Sequence, residues 1–385
     1  MKIFITASLI IAVFAISAFA DAKKEYITRE HPWTLRSVAA LGMGNAYYTK
    51  SSDKYAPFYN PAGLSRINRS WRLDIIPVGF SMNKDFQNLY EDANNVDFDN
   101  DTEVADFIKE HIGDNAYTGF SFYPSFTKRN LTIGVFTASR ATVQPRNPVL
   151  PEANISAVAD AGIVVGYAHT FFEESLAVGV AARLQGRGSL NKSYTVSDFV
   201  SGRAEDDLDN LTAEDYAGTA LIFDVGAIYD FGKLLDVDFS PRAGFAVNNI
   251  GLKTGSYGNL DIRKRDGDIA NSPLPTFATL SFGVSPSVSF LQTDIILDIV
   301  DITRNFDEDD DWGKRINIGA EIGFDLPLIR HFKFRGGFHQ GYPSVGFGID
   351  FYVVELNYAY YTEELGAYSG QLPDSRHALE ISIGI

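Results

Sequence analysis

The chain has 385 residues, a formal net charge of -16 and no cysteine. The negative charge argues against nucleic acid as a partner, and the lack of cysteine excludes disulfides and thiol chemistry. Glycine (33 residues) and aromatic residues (13%) are both abundant, which indicates a β-rich rather than a helical protein.

The first twenty residues have the pattern of a secretory signal peptide. Lys2 precedes the uncharged apolar run Ile3–Phe19, and Ala18-Phe19-Ala20 has the small-x-small form of a cleavage site. We therefore expect residues 1–20 to be removed on export. The alternative, a membrane anchor, is disfavoured because the run is short, and no later window of about 20 uncharged apolar residues predicts a membrane-spanning helix.

The next stretch, residues 21–69, shows neither strict alternation nor a helical stripe. It combines small residues around Gly42 and Gly44 with several aromatic side chains, and it turns at Asn60-Pro61. Proline fixes φ and asparagine can hydrogen-bond its own backbone, so this pair favours a tight turn. The stretch is too irregular for a strand and too apolar for a solvated tail.

From residue 70 onward, apolar residues recur at every second position, which predicts about fourteen β-strands. The stretch from Ile316 to Phe324 is typical, because Ile316, Ile318 and Ile322 share one face and Asn317 and Glu321 share the other. The predicted strands are 70–82, 116–127, 130–142, 154–171, 175–190, 214–230, 239–251, 274–287, 291–303, 314–325, 331–340, 343–350, 352–362 and 376–385. One amphipathic helix is predicted at Val104–Ile112, inside the first long connection.

The connections between these strands alternate between long and short along most of the chain. Long loops at one end and short turns at the other are typical of an outer-membrane β-barrel, with both chain termini in the periplasm. A soluble β-sandwich is the alternative. It is disfavoured because the polar strand faces carry mainly Gly, Ala, Ser and Asn, which suit a crowded lumen better than open solvent. We predict an all-β fold, a transmembrane antiparallel β-barrel of about fourteen strands in the bacterial outer membrane.

The interior of a barrel of about eight strands is just filled by its wall side chains. A barrel of about fourteen strands therefore encloses more space than its wall side chains can fill. The small residues of the stretch before the first strand allow close backbone approach. We therefore interpret residues 21–69 as an N-terminal plug, or hatch, inside a barrel formed by residues 70–385. The alternative is a periplasmic linker that happens to be apolar.

Two motifs in the predicted plug resemble a known family. Gly42–Ala46 and Tyr59–Leu64 are similar to the hatch signature of the FadL-like superfamily of outer-membrane barrels, which transport long-chain fatty acids or other hydrophobic compounds. Phe223–Gly232 and Pro273–Val284 resemble a PorV-like sub-branch of that superfamily. The resemblance implies that the hatch or gate residues are Gly42, Gly44, Asn60, Pro61, Ala62 and Gly63.

The alternation also predicts charged side chains that point into the lumen. The candidates are Arg72, Arg183, Arg242, Glu321, Arg335 and Glu355. The turn near Leu328 would place Glu321 opposite Arg335, either to bind a ligand headgroup or, as we favour, as a structural ion pair. The acidic runs Asp307–Trp312 and 202–215 suit solvated loops better than divalent-cation sites.

The sequence offers no enzymatic motif and no cofactor or metal site. No P-loop, zinc or nucleotide signature is present, and none of the six histidines lies in a nucleophile motif. We therefore expect no catalytic residues. The expected partners are outer-membrane lipid, the barrel-assembly machinery, and either a hydrophobic small molecule or a secreted protein. Two functions stay open: passive transport of hydrophobic small molecules, or a PorV-like role in anchoring or carrying secreted proteins.

Overall fold

The computed structural model describes residues 29–68, 70–204, 217–253, 274–288, 291–306, 311–326 and 329–385. They form a closed antiparallel β-barrel, in which the last strand pairs with the first. Sixteen strand segments of these residues occupy fourteen positions in the wall, because β2 and β3 share one position and β9 and β10 share another. The prediction of a barrel of about fourteen strands is confirmed.

The strand bounds follow the predicted ones within a few residues. The strands are β1 (Arg72–Asn83), β2 (Ala116–Phe122), β3 (Ser125–Lys128), β4 (Leu131–Arg146), β5 (Glu152–Phe171), β6 (Leu176–Thr195), β7 (Ala217–Asp230), β8 (Arg242–Lys253), β9 (Phe277–Val284), β10 (Ser287–Val288), β11 (Leu291–Ile299), β12 (Ile316–Leu326), β13 (Ile329–His339), β14 (Tyr342–Asp350), β15 (Val354–Glu364) and β16 (Pro373–Gly384). The single predicted strand 116–127 is divided into β2 and β3 at Tyr123-Pro124, since proline has no N–H to donate to the ladder.

Short helices lie inside the barrel or in its connections. The α-helices are α1 (Val38–Gly42), α2 (Lys84–Ala93), α3 (Asp101–Glu110), α4 (Val196–Val200) and α5 (Gly232–Leu235), and the 3₁₀ helices are Ala56–Phe58, Pro61–Arg66 and Gly313–Arg315. No helix in the described part of the chain has the length and apolar character needed to cross a membrane.

The helix predicted at Val104–Ile112 is present as α3, but it begins earlier. The side chain of Asn100 accepts hydrogen bonds from the amides of Thr102 and Glu103 and so caps the helix at residue 100. The helix α2, which is capped in the same way by Asn83 at the end of β1, was not predicted from the sequence. The two helices pack together through apolar side chains such as Leu89 and Phe107.

The wall is apolar outside and polar inside, the reverse of a soluble protein. Exposed outward side chains include Ile133, Val135, Ile163, Val165, Leu184, Phe245, Phe282, Ile295, Ile322, Phe334 and Phe338. Inward positions on the same strands carry buried polar groups, including Arg183, Asp224, Asp298, Glu321 and Arg335. A continuous apolar band of this kind is suited to contact with lipid.

The two ends of the barrel differ in their connections. At one end, which we call the short-turn end, strands are joined by tight turns such as 129–130 and 172–175. At the other, the long-loop end, the connections include 84–115 with α2 and α3, and 300–315. The connection between β13 and β14 is brief although it lies at the long-loop end, as the sequence indicated.

Residues 29–68, which we call the N-terminal segment, lie against the inner face of the wall. Ala40, Met43 and Leu64 are completely buried. The largest apolar cluster of the described residues joins side chains of this segment to wall residues such as Phe136 and Val164. The apolar core of the molecule is therefore formed between the N-terminal segment and the barrel wall.

Candidate functional site

The Asn60–Gly63 turn lies directly on the wall strands β6 and β7. The side chain of Asn60 accepts a hydrogen bond from the Ala62 amide at 3.1 Å and donates one to the Ala227 carbonyl at 3.3 Å. A Cβ atom at Gly226 would lie 2.0 Å from Oδ1 of Asn60, and one at Gly179 would lie 2.3 Å from the carbonyl carbon of Pro61. Glycine at these two wall positions thus allows the backbone of the turn to approach the sheet.

The Gly42-Met43-Gly44 motif contacts a different arc of the wall, formed by β12, β13 and β14. A Cβ atom at Gly42 would lie 3.0 Å from Cα of Gly346, and one at Gly319 would lie 2.2 Å from the carbonyl oxygen of Met43. Gly44 has φ of +64°, a left-handed conformation that favours glycine. The six predicted hatch residues therefore all belong to stretches in close backbone contact with the inner wall.

A buried carboxylate on β11 holds the centre of the N-terminal segment. Asp298 is completely buried and accepts hydrogen bonds from the backbone amides of Tyr47 at 2.5 Å and Tyr48 at 3.1 Å. The hydroxyl of Ser281 on β9 donates a further hydrogen bond to the same carboxylate. Charge-assisted bonds of this kind are stronger than neutral ones, so Asp298 is a principal attachment point of the segment.

Ion pairs connect the N-terminal segment to several other strands. Lys54 contacts Glu380 at 2.9 Å, and Lys50 contacts both Asp294 and Glu321, the latter at 2.8 Å. Burial lowers the pKa of Lys50, but the neighbouring carboxylates of Glu321 and Asp294 raise it by more, so the net pKa is raised. Lys50 is therefore held in its charged form.

A second set of ion pairs lies toward the long-loop end. Arg36 contacts Glu363 at 2.8 Å, and Arg376 contacts Glu30 at 2.9 Å. The indole ring of Trp33 is close to two guanidinium groups, with the carbon of Arg36 at 4.3 Å and that of Arg140 at 4.5 Å from the ring centre. These contacts attach the start of the N-terminal segment to β4, β15 and β16.

Each of the six charged residues that the alternation predicts to face the lumen lies near an oppositely charged group. The contacts are Arg72–Asp74 at 2.7 Å, Arg183–Asp224 at 2.8 Å, Arg242–Asp294 at 2.9 Å, Arg335–Glu321 at 2.7 Å and Glu355–Arg72 at 4.0 Å. Glu321 lies directly opposite Arg335 in the register of β12 and β13. Most of the two acidic runs, Asp307–Trp312 and 202–215, lies outside the described residues, because these exclude 205–216 and 307–310.

Two cavities among the described residues are lined by the N-terminal segment and the barrel wall. The first, which we call the aromatic pocket, has a volume of about 80 Å³ and lies toward the long-loop end. Its aromatic lining consists of Trp33, Tyr48, Phe58, Tyr59, Phe277 and Phe306, and its polar lining includes Arg183, Asn248 and His339. The rings of Phe277 and Phe306 are 4.6 Å apart. The pocket offers apolar surface with a few polar groups, which suits a small ring or chain.

The second cavity, which we call the polar chamber, has a volume of about 440 Å³ and lies toward the short-turn end. Charged side chains dominate its lining. They are Lys50, Asp53, Lys54, Arg66, Arg72, Asp74, Arg242, Asp294, Glu321, Arg330, Lys333, Arg335, Glu355 and Glu380. Five of the six predicted lumen residues, all except Arg183, line this chamber.

Several residues of these sites were not singled out from the sequence. Lys50 and Lys54 belong to the irregular N-terminal segment, where no period tells which side chains meet the wall. The sequence feature that could have indicated these two lysines as contacts to the wall is their charge within an otherwise apolar stretch. Within the described residues, no group of three or more His, Cys, Asp and Glu side chains is arranged to hold a metal ion.

No model of a known protein family matches the sequence, and no curated protein matches it either. Among solved structures, the barrel is similar to the toluene transporter TbuX of Ralstonia pickettii, with 11% identity, a TM-score of 0.48, and coverage of 91% of this chain and 98% of that one. It is also similar to the toluene transporter TodX of P. putida, with 12% identity, a TM-score of 0.47, and coverage of 91% and 98%.

Proposed function

We propose that the chain is an outer-membrane β-barrel that carries out gated, passive transport of small molecules with a hydrophobic body, as FadL-like proteins do. One observation carries the proposal: the N-terminal segment lies inside a closed barrel and separates an aromatic pocket from a polar chamber. A solute that enters the aromatic pocket has to displace part of this segment before it reaches the chamber. The PorV-like carrier role has no comparable observation among the described residues to favour it.

The wall is built so that the segment can move without opening the barrel. Every neighbouring pair of wall positions is joined by its own antiparallel ladder, including the closing pair β1 and β16. The segment is held by side-chain hydrogen bonds and ion pairs, such as those of Asp298 and Lys54, and by apolar packing against the wall. We therefore propose that residues 21–69 form a hatch and residues 70–385 an independent barrel, after removal of residues 1–20.

Uptake into liposomes tests the transport proposal. 3-Phenylpropionate and phenylalanine carry an aromatic ring and at least one charge, and a charged group crosses lipid slowly without a protein route. We expect saturable influx of both solutes into liposomes that contain the protein. Phe306→Ala, which removes one wall of the aromatic pocket, should reduce the influx about fivefold. Influx equal to that of protein-free liposomes would overturn the proposal.

The orientation of the barrel can be tested at two apolar side chains of similar exposure. Val149 is 84% exposed in the β4–β5 loop at the long-loop end, and Phe172 is 75% exposed at the short-turn end. We propose that the short-turn end and both chain termini are periplasmic. In intact cells, a membrane-impermeant thiol reagent should therefore label Val149→Cys and not Phe172→Cys. Labelling of Phe172→Cys alone would invert the orientation.

A further inference from the structure

One side of the polar chamber carries more positive than negative charge. This positive flank consists of Lys50, Arg242, Lys333 and Arg335 with the carboxylates of Asp294 and Glu321. Asp294 is shared between Lys50 and Arg242, the latter at 2.9 Å. Glu321 is shared among Lys50 at 2.8 Å, Arg335 at 2.7 Å and Lys333 at 3.7 Å. Four cations thus share two carboxylates. The flank has a net positive charge, which the anionic group of a solute can neutralise.

Arg66 increases the positive charge beside this flank. It pairs with Asp230 at 3.4 Å, and that carboxylate does not belong to the chamber lining. Burial lowers its pKa, and so does the neighbouring guanidinium of Arg242. Like charges are therefore crowded on this side of the chamber.

The adjoining side of the chamber has the opposite balance. This negative flank consists of Asp53, Asp74, Glu355 and Glu380 with the cations Lys54, Arg72 and Arg330, the last of which lies 5.9 Å from the ring of Tyr352. Lys54 pairs with Glu380 at 2.9 Å, and Arg72 pairs with Asp74 at 2.7 Å but is 4.0 Å from Glu355.

Asp53 illustrates the surplus of negative charge on this flank. It is hydrogen-bonded by the Tyr47 hydroxyl at 2.6 Å and the Tyr55 amide at 2.8 Å. Burial raises the pKa of Asp53, the two hydrogen bonds lower it, and the nearby Glu355 raises it further, so the net pKa is raised. A cation placed near Asp53 and Glu355 would relieve this repulsion between carboxylates.

A single amide group spans the boundary between the two flanks. The side chain of Asn357 accepts a hydrogen bond from Nη1 of Arg335 at 2.8 Å and donates one to Oε1 of Glu355 at 3.3 Å. The opposite charges of Arg335 and Glu355 are thus separated by about the length of one small polar group. A solute whose own positive and negative groups are a few atoms apart matches this spacing.

From this arrangement we infer that the polar chamber is a binding site for small zwitterionic solutes, whose carboxylate meets the positive flank and whose ammonium group meets the negative flank. The inference rests on the proposed transport function and names the class of solute. A pure hydrocarbon would remove water from the charged side chains of both flanks without forming hydrogen bonds or ion pairs with them, which costs free energy. A solute with one charge is attracted by one flank and repelled by the other. Only a solute with both charges is stabilised by both flanks.

Four solutes with the same phenyl ring test this inference. Phenylalanine is zwitterionic, 3-phenylpropionate is an anion, 2-phenylethylamine is a cation and 3-phenylpropanamide is neutral at pH 7. Calorimetric titration of the full-length barrel should show phenylalanine binding at least about tenfold more tightly than the other three, since each well-matched charge contributes about that factor. Tighter binding of 3-phenylpropionate than of phenylalanine, or equal binding of all four solutes, would overturn the inference.

Two variants with partly exposed side chains separate the roles of the flanks. Lys333→Gln should weaken binding of phenylalanine about tenfold and leave 2-phenylethylamine unweakened, and Glu355→Gln should weaken phenylalanine equally and leave 3-phenylpropionate unweakened. Lys128→Gln is the matched control and should change nothing, because Lys128 is an exposed lysine at the end of β3 and does not line the chamber. Binding that is unchanged in both flank variants would contradict the inference. If influx into liposomes is still observed in that case, the transport proposal holds and only the zwitterion site is refuted. If no solute enters the liposomes, both the transport proposal and the zwitterion site are refuted.

Discussion

Deletion of Tyr47–Leu64 is expected to convert the closed barrel into an open pore. The deleted residues include the amides held by Asp298, both lysines that pair with the wall, and the Asn60–Gly63 turn. The wall ladders do not depend on them, so the shortened protein should still insert and remain heat-modifiable. In planar bilayers it should conduct ions in large steps, because a lumen of fourteen wall positions is too wide to be closed by wall side chains. The intact protein should stay closed or nearly so.

A single substitution offers a milder version of the same experiment. Gly226→Val places a side chain where Asn60 now lies, since even a Cβ atom there would be 2.0 Å from Oδ1. The N-terminal segment should then be displaced and brief openings should appear. Gly186→Val is the matched control, because its nearest neighbouring atom is 3.8 Å from the added Cβ. If the deletion variant inserts but conducts no more than the intact protein, the segment is not the plug.

Ile322→Lys should prevent stable insertion of the barrel. Ile322 lies at the middle of β12, is 46% exposed on the outer face, and pairs across the strands with Phe334 and Thr293. A lysine on the lipid-facing surface near the bilayer midplane costs about 2–4 kcal/mol of free energy. The measurement is the fraction of folded, heat-modifiable protein recovered from membranes.

Gln292→Lys is the control for this substitution. Gln292 lies on the neighbouring strand β11, but its side chain points inward and lines the polar chamber. Lysine at this position can reach the water of the chamber, so recovery of folded protein should be close to that of the unchanged protein. Equal losses from both substitutions would mean that the outer surface does not face lipid.

The wall of the barrel was predictable because its signal is local. In a strand with one face toward lipid and one toward the lumen, apolar and polar residues alternate, as in Ile316–Phe324, so the sequence shows which side chains face outward. The division of β2 from β3 and the existence of α2 were not predicted. The first depends on where a single proline interrupts the ladder, and the second on an asparagine cap at the end of a strand.

The interior was predictable only in part. The inward direction of Arg335 and Glu321 follows from the same alternation, and their pairing follows from the turn that joins β12 and β13. The contacts of the N-terminal segment could not be predicted in this way, because Lys50, Asp294 and Glu321 come from three separate parts of the chain. The opposite charge balance of the two flanks is likewise visible only when the strands are brought together.

Transport should require movement of the N-terminal segment, and a reversible covalent lock between this segment and the wall tests that requirement. Thr49 of the segment and Ser281 of β9 have side-chain oxygens 3.3 Å apart, and both residues are completely buried. The chain has no cysteine, so Thr49→Cys with Ser281→Cys introduces a single pair of neighbouring thiols that oxidation can join in one defined disulfide. Influx of 3-phenylpropionate into liposomes should stop when this protein is oxidised and return when the same sample is reduced. Equal influx in the two states would show that transport does not need the N-terminal segment to move.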